Sequence, residues 1–272
     1  VNDERNPQTA RPVICIKIGG RAAADDSAMD SLVGDIREMS NDAGFIIVHG
    51  GGAEVTRVSE ALGQSPTFEN GIRMTSHEEM DVVDMVLSGK MNKGLVRRFA
   101  AAGIQAAGLS GSDGALFIGK RLKDDTHTGT IVEVNSDILE ILIERRYLPI
   151  IASTSMTYAG VALNINADEA AFAIAADLPA DILLFLSDTP GILTSVGDII
   201  PELDERSIAE NIADGTITGG MLPKVRASLD ALRAGTGRIV VGRYSSSGDL
   251  RELLDGRLGT RVVLADRPTE SR

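Results

Sequence analysis

The hydrophobic positions of this chain change period several times. Val13 to Ile18 is an apolar run broken only by Lys17 and closed by Gly19-Gly20. A short run of this kind reads as a strand buried on both faces. Met29, Leu32, Val33, Ile36 and Met39 then recur at helical spacing, with Gly44 as a stop signal. Phe45 to Val48 is a second buried run and ends in His49-Gly50-Gly51-Gly52, after which a short helix is expected over about 53–63. Ser76 followed by Glu79 forms a capping box. From it Val83, Val86, Leu87, Leu95, Val96 and Phe99 carry one stripe to Gly103, predicting a single long helix over 76–101.

A strand at 104–108, hairpins across 115–134 (with Gly119 and Gly129), a helix at 136–146 and a strand at 148–153 follow. The second half continues in the same style. A hairpin spans 157–165 around Ala159-Gly160, and Asn166 with Glu169 caps an Ala-rich helix to Asp177. Asp181 to Leu186 is an apolar strand ended by Ser187-Asp188-Thr189-Pro190-Gly191. Helices near 204–213, 220–234 and 248–255, with strands at 238–242 and 260–264, complete the pattern. Alternating strands and helices predict an α/β fold, a three-layer sandwich around a central, mostly parallel open sheet. In such sheets ligands sit beyond the C-terminal strand ends, and the glycine clusters fall at those ends.

Composition narrows the chemistry. Among 272 residues there is no Trp and aromatics make up 3%, which argues against stacking on nucleic-acid bases. The net charge of −12 repels nucleic acid and anionic lipid surfaces. The lone Cys15 lies in the first apolar run, so an internal disulfide is impossible and a buried, inert thiol is expected. No leader-like segment and no apolar stretch of about 18 residues is evident, so a cytoplasmic protein is expected. Residues 1–11 are polar and expected to fray.

Several positions carry candidate chemistry. A lysine inside a buried strand is costly without a charge partner, which singles out Lys17. Gly19-Gly20 is a turn as readily as a phosphate cradle. Gly50-Gly51-Gly52 before a helix suits an anion through its backbone amides. It has neither the Lys-Ser/Thr of a P-loop nor the spaced third glycine of a dinucleotide site. His49 reads as an imidazole packed at a strand end. Arg73 suits a carboxylate in a two-pronged grip, although spacing alone equally allows a solvated arginine. Asp168 falls in the first turn after Asn164-Ile165-Asn166, free to hold cations. Lys224 follows Gly219-Gly220-Met221-Leu222-Pro223 and, by itself, reads as a surface lysine.

Taken in order, these segments resemble acetylglutamate kinase of the amino acid kinase superfamily from about Val13 to Ala265. The resemblance is carried by Ile16-Lys17-Ile18-Gly19-Gly20, His49 to Gly52, Asn70-Gly71-Ile72-Arg73-Met74-Thr75, Leu87-Ser88-Gly89-Lys90-Met91-Asn92-Lys93, Asn164 to Asp168 and Leu186 to Leu193. It implies a single kinase domain over 12–272. A lobe over about 12–180 would bind the acyl amino acid and one over about 181–272 the nucleotide. The implied reaction moves the γ-phosphoryl of MgATP to the side-chain carboxylate of N-acetyl-L-glutamate, as in arginine biosynthesis. Lys17 and Lys224 would stabilise the transition state and Asp168 would orient them. Gly19 and Gly20 would donate amides to phosphate. Gly51, Gly52, Arg73 and Asn164 would bind the acyl amino acid. Asp188, Thr189, Gly191, Ile192 and Leu193, with Thr216, Ile217 and Thr218, would form the nucleotide side, and Mg2+ would be held by ATP and water.

The same resemblance implies a homodimer through helix 76–101. The polar 1–11 segment and Leu254 to Thr260 look like the arginine-insensitive type. Two departures stand out: Glu54 puts a negative charge beside the glycines, and Gly108 to Gly114 resembles kinases acting on carrier-protein-linked glutamate or aminoadipate. Ile72-Arg73-Met74-Thr75 favours the free acyl amino acid. A catalytically silent nucleotide sensor and a nicotinamide dehydrogenase are the rival classes. The first should lack a lysine, and the second should carry the glycine fingerprint that is missing.

Overall fold

The computed structural model describes residues 11–19, 25–69, 71–217 and 221–264. The chain opens with β1 (Val13–Ile18), α1 (Asp26–Met39), β2 (Gly44–His49) and α2 (Gly52–Ala61). A two-stranded hairpin, β3 (Phe68–Glu69) and β4 (Ile72–Arg73), precedes α3 (His77–Asp84) and α4 (Asn92–Ala101), with Met85–Met91 between them in a π-helical turn. Next come β5 (Ala106–Ser110), β6 (Phe117–Arg121), β7 (Thr128–Val134), α5 (Asp137–Glu144), β8 (Leu148–Ala152), β9 (Thr154–Met156) and β10 (Ala162–Ile165). The remaining elements are α6 (Ala167–Asp177), β11 (Ile182–Leu186), β12 (Glu202–Leu203), α7 (Glu205–Ala213), α8 (Met221–Ala234), β13 (Arg238–Gly242), α9 (Asp249–Leu254) and β14 (Thr260–Val262).

Eight strands form one sheet in the order β12-β14-β13-β11-β1-β2-β8-β5. From β13 to β5 all neighbours are parallel, whereas β14 runs antiparallel to β13 with β12 alongside it. Side chains on a strand alternate between faces, and the central strands bury both. Val13 and Cys15 of β1, Ile46 and Val48 of β2, and Leu183 and Phe185 of β11 pack into one core, with α6, α7 and α8. Ile14, Ile16 and Ile18, with Phe45, Ile47, Ile182, Leu184 and Leu186, pack into another, with α1, the second half of α4 and α9. This is the three-layer architecture the sequence predicts. Burial raises the Cys15 thiol to about 12, so it is an inert core group as expected.

At the start of β1 the backbone N–H of Val13 donates to Asp181 Oδ2 at 2.7 Å, and the Asp181 N–H donates to the Val13 carbonyl at 2.9 Å. At the other end the strand order reverses, with β2 on one side of β1 and β11 on the other, and this opens the crevice where ligands of such sheets bind.

Three expectations are modified. The predicted helix over 76–101 is interrupted by its π-helical turn. The wider turn rotates the second half of the helix about its axis, so Val83, Val86 and Leu87 pack with Val55 and Met80, while Leu95 and Phe99 pack with Leu148 and Ile150. A single stripe in the sequence thus serves two cores. The hairpins over 115–134 and 157–165 close together into a four-stranded barrel in the order β10-β7-β6-β9. Gly119 and Gly129 belong to its interior, where a Cβ on either would stand 2.7 and 2.9 Å from Leu163 Cδ1. The capping box is half formed: Ser76 Oγ accepts from the Glu79 N–H at 3.1 Å, but the Glu79 carboxylate turns elsewhere. No helix among the described residues is long and apolar enough to cross a membrane.

Candidate active site

Strand parity decides where Lys17 points. As the third odd-numbered position of β1 it lies on the face of Val13 and Cys15, in register between Val48 of β2 and Phe185 of β11. That face carries α6 and α8. Asn166 caps α6, its side-chain oxygen accepting from the Asp168 N–H at 2.8 Å, which sets Asp168 in the first turn over the end of β1. Lys17 Nζ lies 2.7 Å from Asp168 Oδ1, and Lys224 Nζ, from the first turn of α8, lies 3.3 Å from Oδ2. Lys224 also stands 5.3 Å from the centre of the Phe185 ring. Burial alone would raise the Asp168 pKa, but the two ammonium groups override it and hold the carboxyl below its ordinary value. The helix start itself is secured from behind, because the Glu169 carboxylate accepts from Thr130 Oγ1 at 2.6 Å and the Ile131 N–H at 2.7 Å. Glu169 is therefore a tie to the barrel and not the second half of a cap.

Lys17 also lines a cavity of about 480 Å3, together with Gly50, Gly51, Gly52, Arg73, Asn164 and Ala167. This volume lies within the ~300–1,000 Å3 usual for small-molecule sites. Gly51 has no room for a side chain: a Cβ would stand 2.2 Å from Met91 Sδ and 2.8 Å from Leu87 Cδ2. The π-helical turn therefore presses directly on the glycine loop. His49, at the end of β2, is fully buried; its Nδ1 bonds the Gly50 carbonyl at 2.9 Å and its Nε2 faces Asn92 Nδ2 at 3.2 Å. Desolvation lowers its pKa to about 4, so it is a neutral packing group, as its position suggested. Asn92 further donates to the Ile150 and Leu109 carbonyls, joining β2, β8 and β5 below the cavity.

Arg73 is a buried arginine, not a solvated one. Nη1 donates to Glu79 at 2.6 Å, Nη2 donates to the Gly52 carbonyl at 3.0 Å and to Thr56 Oγ1, and Phe68 stacks 4.8 Å from Cζ. Asn164 reaches the same wall, donating to Thr75 Oγ1 at 2.8 Å, and Thr128 Oγ1 donates to the Arg73 carbonyl at 2.6 Å. Thr56, Phe68, Glu79 and Thr128 were not legible as members of this group. Only the buried Glu79 had a sequence signal, and the capping pattern offered another use for it.

The remaining positions divide. Gly19 sits against the Leu186 carbonyl, where a Cβ would come to 3.2 Å. Gly20 and Thr218 lie outside the described residues, as does Asn70. Asp188 presents its carbonyl to Arg243 Nε at 2.8 Å, and Thr189 bonds Ser187 at 3.2 Å, so this loop follows β11 at the crevice. Gly191 packs against Thr260 and Ile199, and Leu193 bridges to Ile199. The Ile192 and Ile217 side chains are buried in the core, and their N–H groups donate to Thr260 Oγ1 and the Asn211 carbonyl at 2.8 Å each. They shape the loops from inside. The Thr216 N–H is bonded to Asp214.

Both departures have structural accounts. Glu54 accepts from Arg57 at 2.9 and 2.8 Å and from Lys90, and these hydrogen bonds draw its pKa to about 2. Its charge is neutralised on the outer side of the glycine loop. In Gly108 to Gly114, Gly108 has no space beside Asn92 Oδ1, Gly111 lies under the Phe117 ring, and Asp113 accepts from Ser110.

A sequence model of the amino acid kinase family matches residues 12–243. The chain belongs to the amino acid kinase family. It is 36% identical over 267 residues to the acetylglutamate kinase of Halorhodospira halophila, covering 92% of this chain and 89% of that one. The acetylglutamate kinases of Prochlorococcus marinus (38% over 258 residues; 92% and 84%) and Aquifex aeolicus (36% over 274 residues; 93% and 92%) are similar to the same extent. Among solved structures, a Streptococcus mutans protein superposes with a TM-score of 0.76 at 26% identity, covering 92% of this chain and 98% of that one. The carbamate kinase of Giardia lamblia bound to AMP-PNP has the same fold, with a TM-score of 0.65 at 17% identity over 94% of this chain and 99% of that one. In this kinase family member, then, the half-buried Lys17, the glycine loop and Arg73 line one cavity at the crevice where the fold places a ligand.

Proposed function

We propose that this chain is an acetylglutamate kinase, transferring the γ-phosphoryl of ATP to the side-chain carboxylate of N-acetyl-L-glutamate in arginine biosynthesis. The observation that carries this reading is the pair of lysines sharing Asp168 at the mouth of a cavity whose wall holds Arg73. The acceptor carboxylate is ionised at neutral pH, so no general base is required. Its oxygen bonds to the γ-phosphorus as the bond from that phosphorus to the bridging oxygen breaks, and ADP leaves with the electron pair.

The difficulty is the approach of two anions, and the remedy is fixed cations at the transferring group. Lys17 and Lys224 serve in that role, and Asp168 holds them there. Gly19 and Gly20 donate backbone amides to the phosphates. Arg73 grips the α-carboxylate, while Gly51, Gly52 and Asn164 bind the rest of the acyl amino acid. Asp188, Thr189, Gly191 and Leu193 form the nucleotide wall with Thr216 and Thr218, supported by Ile192 and Ile217. The carboxylate nearest the site, Asp168, has each oxygen directed at an ammonium. That donor set suits Mg2+ carried by ATP phosphates and water, where it would neutralise phosphate charge.

On this reading the segment over about 12–180 serves the acyl amino acid and that over 181–272 the nucleotide. The protein works in the cytoplasm as a homodimer built through helices α3 and α4, without nucleic-acid or membrane partners. A hydroxamate-trapping assay with MgATP tests the reaction on N-acetylglutamate, glutamate and aminoadipate. Acyl phosphate from N-acetylglutamate alone is expected. ATP binding without turnover on any of the three would overturn the assignment.

A further inference from the structure

The Arg73 guanidinium has a carboxylate partner before any substrate arrives. The two side chains, 8% and 6% exposed, meet at 2.6 Å. Arg73 lines the cavity, whereas Glu79 approaches from behind, from the first turn of α3. Glu79 does so at the expense of the Ser76 backbone N–H that a capping box would have given it. Its contact, with those to Gly52 and Thr56, engages three of the five guanidinium N–H groups. Among the described residues, the Nε proton and one on Nη1 have no hydrogen-bond partner. A lone arginine would offer a carboxylate both geometry and a full positive charge. Here the pair is neutral as a unit, and burial leaves little water to screen Glu79 from an incoming anion.

We propose that Glu79 is a specificity-determining residue: its charge offsets that of Arg73, so the site recognises the α-carboxyl of the acyl amino acid by hydrogen-bond geometry and holds the dianion only moderately. This rests on the assignment of Arg73 to the α-carboxylate. Two consequences separate it from a scaffolding role. Removing the charge while keeping the shape strengthens binding of the α-carboxylate substrate. The same change leaves a substrate with a neutral α-carboxamide unaffected, since that group feels little of the altered charge.

The experiment compares wild type and Glu79→Gln on N-acetylglutamate and on its α-carboxamide analogue, in which the side-chain carboxylate is still free to accept phosphate. Glu79→Gln is expected to lower KM for N-acetylglutamate about 5-fold, with kcat within about twofold, and to leave KM for the carboxamide unchanged. Discrimination between the two substrates then rises about 5-fold. If KM rises for both substrates in parallel, or kcat falls with it, Glu79 is a strut and the proposal fails. Absence of wild-type turnover on N-acetylglutamate would instead overturn the functional reading beneath it.

Discussion

Replacing Asp168 by Asn tests the centre of the site with the least change of shape. In the native arrangement each carboxylate oxygen is paired with one ammonium, Lys17 at 2.7 Å and Lys224 at 3.3 Å. An amide keeps one acceptor oxygen but turns an NH2 donor toward the other lysine. One of the two cations must therefore swing away. Losing a single preorganised donor to a transition state costs about 10²–10³ in kcat, and that is the expected fall for Asp168→Asn. Displacement of one cation weakens the pull on phosphate while loss of the neighbouring anion strengthens it, so KM for ATP should change far less than kcat.

Stability falls as well. With side-chain exposures of 15%, 18% and 29%, the cluster is partly solvated, and the loss should be on the order of 1–2 kcal/mol, below the ~3–5 typical of a fully buried pair. The acid response comes from the lowered Asp168 pKa. Its contribution is complete above the unfolded carboxylate value near ~3.9 and disappears as pH falls through the lower folded value. Asp168→Asn should remove that part of the slope below about pH 4. Steady-state kinetics with both substrates varied, beside urea melts from pH 3 to 7, supply the numbers. A kcat within about threefold of wild type would refute the account of the triad.

Lys224→Ala should lower kcat by on the order of 10² or more in the same assay, and an unchanged kcat would remove Lys224 from the mechanism. Arg73→Lys keeps a charge but loses the fork that reaches Gly52, Thr56 and Glu79 at once, so KM for N-acetylglutamate should rise about tenfold or more while KM for ATP holds; equal changes in both would count against the assignment. His49, held neutral with its pKa near 4, lets the unfolded chain bind one more proton between about pH 4 and 6.5. Stability should therefore rise with pH across that window by up to ~1.4 kcal/mol per pH unit, and His49→Gln should flatten the rise in denaturant melts. Gly51→Ala has to displace Met91 and Leu87 and should destabilise by about 1–3 kcal/mol, read as a lower melting temperature; an unchanged melt would mean the π-helical turn yields freely.

Which parts of this molecule could be read from the chain depends on how local their causes are. β1, β2 and β11 announce themselves because a strand buried on both faces needs an unbroken apolar run, and Lys17 stands out by interrupting one. α6 is legible from its cap, since Asn166 bonds an amide two residues away. The meeting of Asp168 with Lys224 is not local: it depends on α6 and α8 lying side by side over one face of the sheet, and residue types alone left Lys224 on the surface. The barrel was visible only as hairpins, although Gly119 and Gly129 mark its crowded interior. The π-helical turn was hidden because its stripe of apolar residues keeps helical spacing while changing which core it serves. Glu79 was hidden by a competing local use of the same side chain.

The double burial of β1 has a consequence for errors of alignment within the sheet. A strand with one wet face is held in register by hydrophobicity, because a slip of one residue would turn its apolar side to water. Val13 to Ile18 has no wet face, so a one-residue slip would exchange one apolar set for another almost without penalty, yet it would carry the Lys17 ammonium through the sheet to the side lacking Asp168. What forbids the slip is polar and distant. The paired hydrogen bonds between Val13 and Asp181 act as a locating pin four residues upstream, about 13 Å along the strand from the lysine they align. The placement of Lys17 is thus guarded at the opposite end of the strand, by an aspartate that does not touch it.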